Sequence, residues 1–306
     1  MKAIQYMAFG GSDVVKLTDI EKPVPNDDEV LIKAAAVTVN PADIKFRTGA
    51  MQQRMPVQLP FTPGLDVAGT VEAVGSNVSR IKVGDKVFGG KFGGTYAQYV
   101  VLKEEQTGLV PSNMSLNEAV ALEVSLVTAY TFLIENGDVR PGQRLLIQGA
   151  SGGTGLVILQ MAKALGAYVI GTASSGGIAL ALSHGADQVI NYKTQDFTTL
   201  AKDIDLVIDM VGGETQAKSF QVLKKGGKLL SAVMPPSQQL AQQYGVEAKF
   251  VSSAHTYKKL DYGKKLVEQG KIKPQIAKTM KLEDAARAQD IVSAGGIDGK
   301  VVLEID

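Results

Sequence analysis

Arg144-Leu145-Leu146-Ile147-Gln148 runs directly into Gly149-Ala150-Ser151-Gly152-Gly153-Thr154-Gly155 and then into the helix-competent stretch Leu156 to Leu165. An apolar strand, a glycine-rich turn and a helix in that order predict a dinucleotide site. Glycine permits the tight turn and the close approach of a pyrophosphate, whose charge is then held by free N–H groups and the positive end of the helix dipole. The form is A-x-G-x-x-G, with Ala150 where a first glycine often sits. Taken alone such a motif also describes an ordinary strand-to-helix turn. Here it opens a series: candidate strands follow at Tyr168 to Thr172, Gln188 to Asn191, Leu206 to Asp209, Lys228 to Ala232 and Glu247 to Val251, separated by helix-sized segments. That alternation predicts a doubly wound parallel sheet with helices on both faces.

Working outward, residues 1 to about 115 have a different texture. Short β-rich runs such as Glu29 to Lys33 and Val67 to Val71 are separated by clusters of Gly, Pro, Asn and Asp at Pro23 to Asp28, Pro60 to Gly64 and Gly89 to Gly94. This is the rhythm of an antiparallel barrel or sandwich. Ser115 with Glu118 three residues later has the spacing of a capping box and marks where the helical texture begins. After about residue 256 a helical stretch, Leu282 to Ser293, leads through Gly295-Gly296 to a last strand, Gly299 to Glu304, which is free to rejoin the first sheet. The expected α/β organisation is a β domain over 1–118, completed by about 258–306, with a nucleotide-binding domain over 119–257 inserted in it.

Composition excludes several chemistries. The 306 residues carry 32 Lys+Arg against 31 Asp+Glu, so no net field favours nucleic acid or an anionic membrane. There is no cysteine, and the only histidines are His184 and His255. Disulfides, thiol nucleophiles, iron–sulfur clusters and zinc sites built from three or more Cys/His ligands are therefore excluded. The opening MKAIQYMAFGG lacks the apolar core of a signal peptide, and no apolar run is read as approaching the roughly 20 residues of a membrane span. The expectation is a cytoplasmic protein.

The end of the second strand bears on which dinucleotide binds. An NAD site usually presents Asp or Glu about 20 residues beyond the glycines. Here the sequence is Gly171-Thr172-Ala173-Ser174-Ser175-Gly176-Gly177. Small hydroxyl residues leave room for a 2′-phosphate and donate to it, which favours NADPH. Lys193, beside Tyr192, is either a basic partner for that phosphate or a solvated surface lysine.

At these residues the chain resembles the medium-chain dehydrogenase/reductase superfamily, in its zinc-free quinone oxidoreductase and enone reductase branch. The resemblance rests on Val39-Asn40-Pro41-Ala42-Asp43, Pro63-Gly64-Leu65-Asp66-Val67-Ala68-Gly69, Val83-Gly84-Asp85-Lys86-Val87, Gly94-Thr95-Tyr96-Ala97-Gln98-Tyr99, Gly149 to Gly155, Ile190-Asn191-Tyr192 and Gly299-Lys300-Val301-Val302. It implies a GroES-like β-barrel catalytic domain plus a Rossmann domain, with the substrate cleft between them. In the zinc-dependent branch a Cys precedes the position of Pro41, and Gly-His-Glu stands where this chain has Gly64-Leu65-Asp66. The resemblance therefore implies no metal. What remains is hydride transfer from NADPH to a quinone or α,β-unsaturated carbonyl, an acceptor activated by conjugation rather than by a Lewis acid.

The resemblance further implies that Asn40 and Thr128 lie near the nicotinamide and that Gly152, Gly153, Thr154 and Gly155 cradle the pyrophosphate. Ser174, Ser175 and Tyr192 surround the 2′-phosphate, Val211 and Val233 border the cofactor, and Lys300 approaches it. Relatives often carry a lysine where this chain has Gly176-Gly177-Ile178. Lys45 is the first candidate donor to the developing oxyanion, Tyr96 the second. Read as an alternating strand, Asp43 to Arg47 sends Lys45 and Arg47 to one side; the alternative is that Lys45 pairs with Asp43 on a solvated loop. His184 is read as capping a helix C-terminus, and His255 as uninformative. Met51, Met55, Phe61, Phe92 and Met234 are read either as core or as lining an acceptor pocket. The expected partners are a small-molecule quinone or enone and a second copy in a homodimer. An enoyl-thioester reductase and a non-catalytic NADPH sensor are the rival readings.

Overall fold

The computed structural model describes residues 1–306. The chain forms two compact units, one from Met1–Val124, His255–Glu268 and Pro274–Asp306, the other from Ser125–Ala254 and Gln269–Lys273. The first crossing falls inside the helix Leu116–Tyr130, so the helical texture that begins at 116 starts within the first unit. The Ser115–Glu118 capping box is present: Glu118 Oε2 accepts from the Ser115 amide and hydroxyl, and Ser115 Oγ accepts from the Glu118 amide.

In chain order the strands are β1 Lys2–Tyr6, β2 Val15–Asp19, β3 Glu29–Val39, β4 Asp66–Val74, β5 Lys86–Gly90, β6 Tyr99–Lys103, β7 Thr107–Leu109, β8 Arg144–Gln148, β9 Tyr168–Ala173, β10 Gln188–Asn191, β11 Ile204–Asp209, β12 Leu223–Ser231, β13 Glu247–Phe250, β14 Ile276–Lys281 and β15 Lys300–Glu304. In the first unit the sheet order is β14-β15-β3-β4-β5-β7, with β6 on β3 and a separate β1-β2 hairpin. The terminal strand rejoins that sheet, pairing antiparallel with β3 from Val301↔Val39 to Glu304↔Ala36. Its other neighbour, β14, is parallel to it and was not legible as a strand, because Met280 is its only buried residue and no alternation marks it. The core gathers Ile4, Tyr6, Ile32, Val67, Val87, Tyr96, Leu102 and Leu303. Each such side chain taken from water stabilises the unit by roughly 1.5–3 kcal/mol.

The second unit is a parallel sheet in the order β10-β9-β8-β11-β12-β13. The chain winds outward from β8 in one direction, returns, and winds outward in the other, which places a topological switch point between the carboxyl ends of β8 and β11. Leu146, Ile170, Ile190, Val207, Phe220 and Leu229 fill the core. Strand β12 begins five residues earlier than Lys228, because Gly226-Gly227 is carried inside the strand where the β11–β12 register shifts.

Two expectations are corrected. Pro41–Arg47 is a helix, not a strand: Asn40 caps it, its amide donating to Asp43 Oδ2 at 2.8 Å, and Pro41 occupies the first helical position. The continuous helical segment Leu116–Asn136 has 21 residues and is long and apolar enough to cross a bilayer by length and composition, but most of it is buried. Its apolarity serves packing.

Candidate active site

The Gly149–Gly155 turn sits at the switch point. Gly149 has φ +80°, and a Cβ at Gly155 would stand 2.2 Å from the Gly149 carbonyl oxygen, so this helix start accepts only glycine. The helix Gly153–Ala164 begins with Gly152 as its cap and no side chain covering the first amides, which leaves the Gly153, Thr154 and Gly155 N–H groups free for an anion. Ser125 Oγ lies 3.3 Å from Thr154 Oγ1, and Thr128, one turn further along the same helix face, is brought to this place. Val211 is half-exposed with its Cγ2 above Gly149, and Val233 borders Gly212. A residue the sequence reading passed over organises this rim: Asp209, fully buried at the end of β11, accepts from the amides of Val211 and Gly212, from Gln216 Nε2 and from Ser231 Oγ. Its signal was an acid closing an apolar strand.

At the end of β9 the Ser174–Ser175 turn and the Asn191–Lys193 turn are joined by a 3.0 Å bond from Asn191 Nδ2 to Ser175 Oγ. Ser175, Tyr192 and Lys193 are exposed there, and the tip of β9 carries hydroxyls instead of a carboxylate. His184 follows the helix Gly177–Ser183 with Nδ1 2.8 Å from the Leu180 carbonyl, the capping role read from sequence.

The first unit holds a polar cluster at one end of its sheet, and the register explains it. Val301↔Val39 sets Lys300 beside Asn40, Ala36↔Ala68 sets Asp66 beside Thr38, and Asp66 pairs with Gly90. Four adjacent strands thus deliver Lys300, Asn40, Asp66 and Gly90 in a row. Lys300 Nζ donates to Asn40 Oδ1 at 2.6 Å. Asn40 Nδ2 reaches Thr38 Oγ1 at 3.1 Å and Asp66 Oδ2 at 3.3 Å. Asp66 also accepts from the Thr38 amide at 2.7 Å and the Thr38 hydroxyl at 2.5 Å. Asn40, expected near the nicotinamide, and Lys300, expected to approach the cofactor, are therefore in direct contact.

His255 is not uninformative. Its Nδ1 lies 2.9 Å from Glu123 Oε1, and Glu123 is fully buried with Oε2 bonded to nothing. A Cβ at Gly90 would be 2.4 Å from His255 Nδ1, so glycine is what admits the imidazole. Burial lowers the imidazole's affinity for its proton, but the Glu123 charge and hydrogen bond, with Asp66 adding, outweigh it and leave the pKa raised. Burial likewise raises Asp66, against the Lys300 charge and the Thr38 bonds. Burial lowers Lys300, opposed by Asp66, Asp43 and Glu123.

Tyr96 and Lys45 fare differently from expectation. Tyr96 is fully buried, its hydroxyl directed at Asp43 Oδ2 (3.1 Å) and the Thr38 carbonyl (3.2 Å), so it braces the cluster from behind rather than meeting an acceptor. Asp43 is sealed and also accepts from the Gly64 amide at 3.1 Å; burial, with Asp66 nearby, pushes its pKa up to about 7 against the bonds from Asn40, Tyr96 and Gly64. Lys45 is half-buried and does not pair with Asp43. On a helix, residues two apart point about 200° from each other, and Arg47 turns inward to Gln289 Oε1 at 3.0 Å. Phe46, Phe61 and Phe92 form an aromatic cluster, with Phe46 and Phe92 edge-to-face at 4.7 Å and Phe92 44% exposed. Met51 packs on this core, while Met234 lies in the second unit with its sulfur 3.3 Å from the Gly213 amide.

Residues 26–112 match the model of the alcohol dehydrogenase GroES-like domain, and residues 184–303 match one described as a zinc-binding dehydrogenase. The chain is 33% identical over 322 residues to the quinone oxidoreductase of Homo sapiens, covering 99% of this chain and 97% of that protein. It is 36% identical to the 2-methylene-furan-3-one reductase of Solanum lycopersicum over 99% of this chain and 79% of that one. The Escherichia coli quinone oxidoreductase solved in complex with NADPH superposes with a TM-score of 0.91 over the full length of both chains at 28% identity. A GroES-like barrel with an inserted Rossmann sheet defines the class, the medium-chain dehydrogenases and reductases. Within it, the chain belongs to the zinc-free quinone oxidoreductase branch.

The word zinc in the second model's description does not fit these residues. No group of three or more His, Cys, Asp or Glu side chains could hold a metal ion. Asn40 and Leu65 stand at the ligand positions of the zinc-dependent branch, and Asp66 is already bonded to Thr38 and Asn40 and faces an ammonium.

Proposed function

We propose that the protein is a zinc-independent, NADPH-dependent reductase of quinones or α,β-unsaturated carbonyls. The observation that carries this reading is a dinucleotide cradle at Gly149–Gly155 together with a buried polar cluster, Lys300–Asn40–Asp66, whose one carboxylate is already held by Thr38 and Asn40. The relatives named for quinone and furanone reduction, and the Escherichia coli enzyme solved with NADPH, support the same reading.

When bound, NADPH supplies a hydride from its nicotinamide C4. The chain's own part is binding and orientation. The amides of Gly153, Thr154 and Gly155 hold the pyrophosphate, with Gly152 turning the chain toward it and Thr128 and Val211 lining the approach. Ser174, Ser175, Tyr192 and Lys193 hold the 2′-phosphate, hydroxyl and ammonium groups serving where an acid would repel it. Val233 borders Gly212 on the same rim.

Mixing the protein with NADPH and a panel of quinones, 2-alkenals and enoyl thioesters, and following absorbance of the reduced nicotinamide, tests the reading. Oxidation with quinones or alkenals is the expected result. Tight NADPH binding with no oxidation by any acceptor would make the protein a sensor, and oxidation by enoyl thioesters alone would make it a thioester reductase. We also infer a homodimer: β13 ends the parallel sheet, and an edge strand is where a second copy would pair across a two-fold axis. Light scattering at the monomer mass would refute it.

A further inference from the structure

The buried cluster leaves one group underused. An ammonium has three N–H donors and, away from water, each needs an acceptor. Lys300 is 7% exposed, and the protein gives its Nζ one acceptor, Asn40 Oδ1. Asn40 is itself fixed by Thr38 and Asp66, so the direction of the Lys300 amine is set by a chain of bonds running back through two strands. Other nearby donors are committed. Tyr96 is directed at Asp43 and Thr38, and Arg47 binds Gln289 with Asp290 at 3.6 Å. Lys300 combines burial, a positive charge and unfilled donors; Arg47 also keeps a buried Nε without an acceptor, but its guanidinium does not release a proton.

We propose that Lys300 is the proton donor to the acceptor's oxygen, taking with an ammonium the role that a Lewis-acid metal has in the zinc-dependent branch. This rests on the reductase reading above. As hydride adds to the acceptor carbon, the conjugated electron pair moves to the carbonyl oxygen. An N–H bond of Lys300 breaks as an O–H bond forms there, giving the enol or hydroquinone and a neutral amine. Water then returns a proton to the amine, so one hydride and one proton have entered the acceptor. The environment suits the task. Burial favours release of the proton, while Asp66, Asp43 and Glu123, the last paired with His255, keep the ammonium charged until the oxyanion develops.

The test is the variant Lys300→Met read three ways. Acceptor reduction at saturating NADPH should fall by about 100-fold or more, the range for a lost general acid. The NADPH dissociation constant, from nicotinamide fluorescence, should stay within about threefold, and affinity for 4-nitrophenolate, a planar oxyanion, should fall about tenfold, the size of one lost charge-assisted bond. Lys300→Arg should keep nitrophenolate binding yet stay slow, because a guanidinium does not release its proton. Since Met at 300 leaves Asp66 uncompensated, Asp66→Asn/Lys300→Met serves as the neutral partner should the single variant unfold, and it should be equally slow. A loss of NADPH affinity matching the loss in kcat/KM would make Lys300 a cofactor ligand. A lowered melting temperature with unchanged kcat would make it a counter-ion, and a fully active Lys300→Arg would remove proton transfer. If none of the acceptors lets the unaltered protein oxidise NADPH, the reductase reading fails by itself, and the nitrophenolate arm still judges Lys300.

Discussion

In the parallel-sheet unit the groups offered to an anion belong to the main chain, the amides at the start of the helix Gly153–Ala164, covered by no capping side chain and aimed by a turn that only glycine can make. In the barrel unit the polar groups are side chains sealed from water, with Asp66 and Glu123 at 0% exposure, and they are placed by strand register rather than by a local turn. The first device depends on backbone shape and is indifferent to the charge around it. The second depends on charge balance, since each buried ion is tolerable only with its partner. The two arrangements therefore fail differently.

The sharpest way to break the first device is Gly155→Val. The added carbons would drive into the Gly149 carbonyl and into Ala150 Cα, where a Cβ alone would already lie at 2.2 and 3.0 Å. Backbone cannot yield as a flexible side chain can. The expected loss of NADPH affinity is at least about 100-fold, or about 2.7 kcal/mol, together with a lower melting temperature. Affinity within threefold of the unaltered protein would show that the turn is not what holds the cofactor.

The second device breaks through its charge. His255→Ala leaves Glu123 buried with neither oxygen partnered, because Oε2 already has none. Removing one member of a buried pair costs about 3–5 kcal/mol, read as a shift in the urea midpoint at constant slope. His255→Ala/Glu123→Gln should recover part of it, and no recovery would mean that His255 acts through packing against Gly90.

The difference between the two devices is also why one was legible in the sequence and the other was not. Gly149 to Gly155 is contiguous, and the strands that frame it, β8 to β11, each read as short apolar runs between helices, whereas the lysines and glycines that open β12 hide its first five residues. The barrel cluster draws on Asn40, Asp66, Glu123, His255 and Lys300, five residues spread over 260 positions, from 40 to 300, and joined only by strand pairing. No local pattern announces that Lys300 faces Asn40 or that a loop histidine meets a helix glutamate. Reading Asp43 to Arg47 as a strand failed for a local reason: alternation of polar and apolar residues outweighed the Asn-Pro start, whose capping acid, Asp43, was the true signal.

A smaller effect separates the devices by pH. Asp43 is held near pKa 7 by burial and by Asp66, above its usual 3.8. A raised carboxyl pKa means that the folded state binds the proton more tightly, so its stabilising contribution is complete below about pH 3.8 and is lost as pH rises through about 7. The change is at most about 4 kcal/mol at 1.36 kcal/mol per unit. His255, also raised, loses its contribution in the same direction as it deprotonates. Asp43→Asn should therefore flatten the fall of stability between pH 4 and 7, and an unchanged slope would mean that Asp43 titrates normally. The glycine turn, which holds no titratable side chain, carries no such dependence.

The smallest expected effect sharpens the comparison from the other side, by adding charge where the backbone device has none. Ser175 is exposed and bonded to Asn191, in the turn proposed above to hold the 2′-phosphate. Ser175→Asp would place a carboxylate there, accepting from ribose hydroxyls and repelling the phosphate. Two like charges about 4 Å apart near a surface repel by at most about 4 kcal/mol, and salt reduces this well below that figure. The expected outcome is about a tenfold loss of NADPH affinity with NADH gaining, while kcat at saturating cofactor and the melting temperature stay as they were. A stability loss like that of His255→Ala would mean that this loop, too, is held by charge balance, and the distinction between the two units would fall.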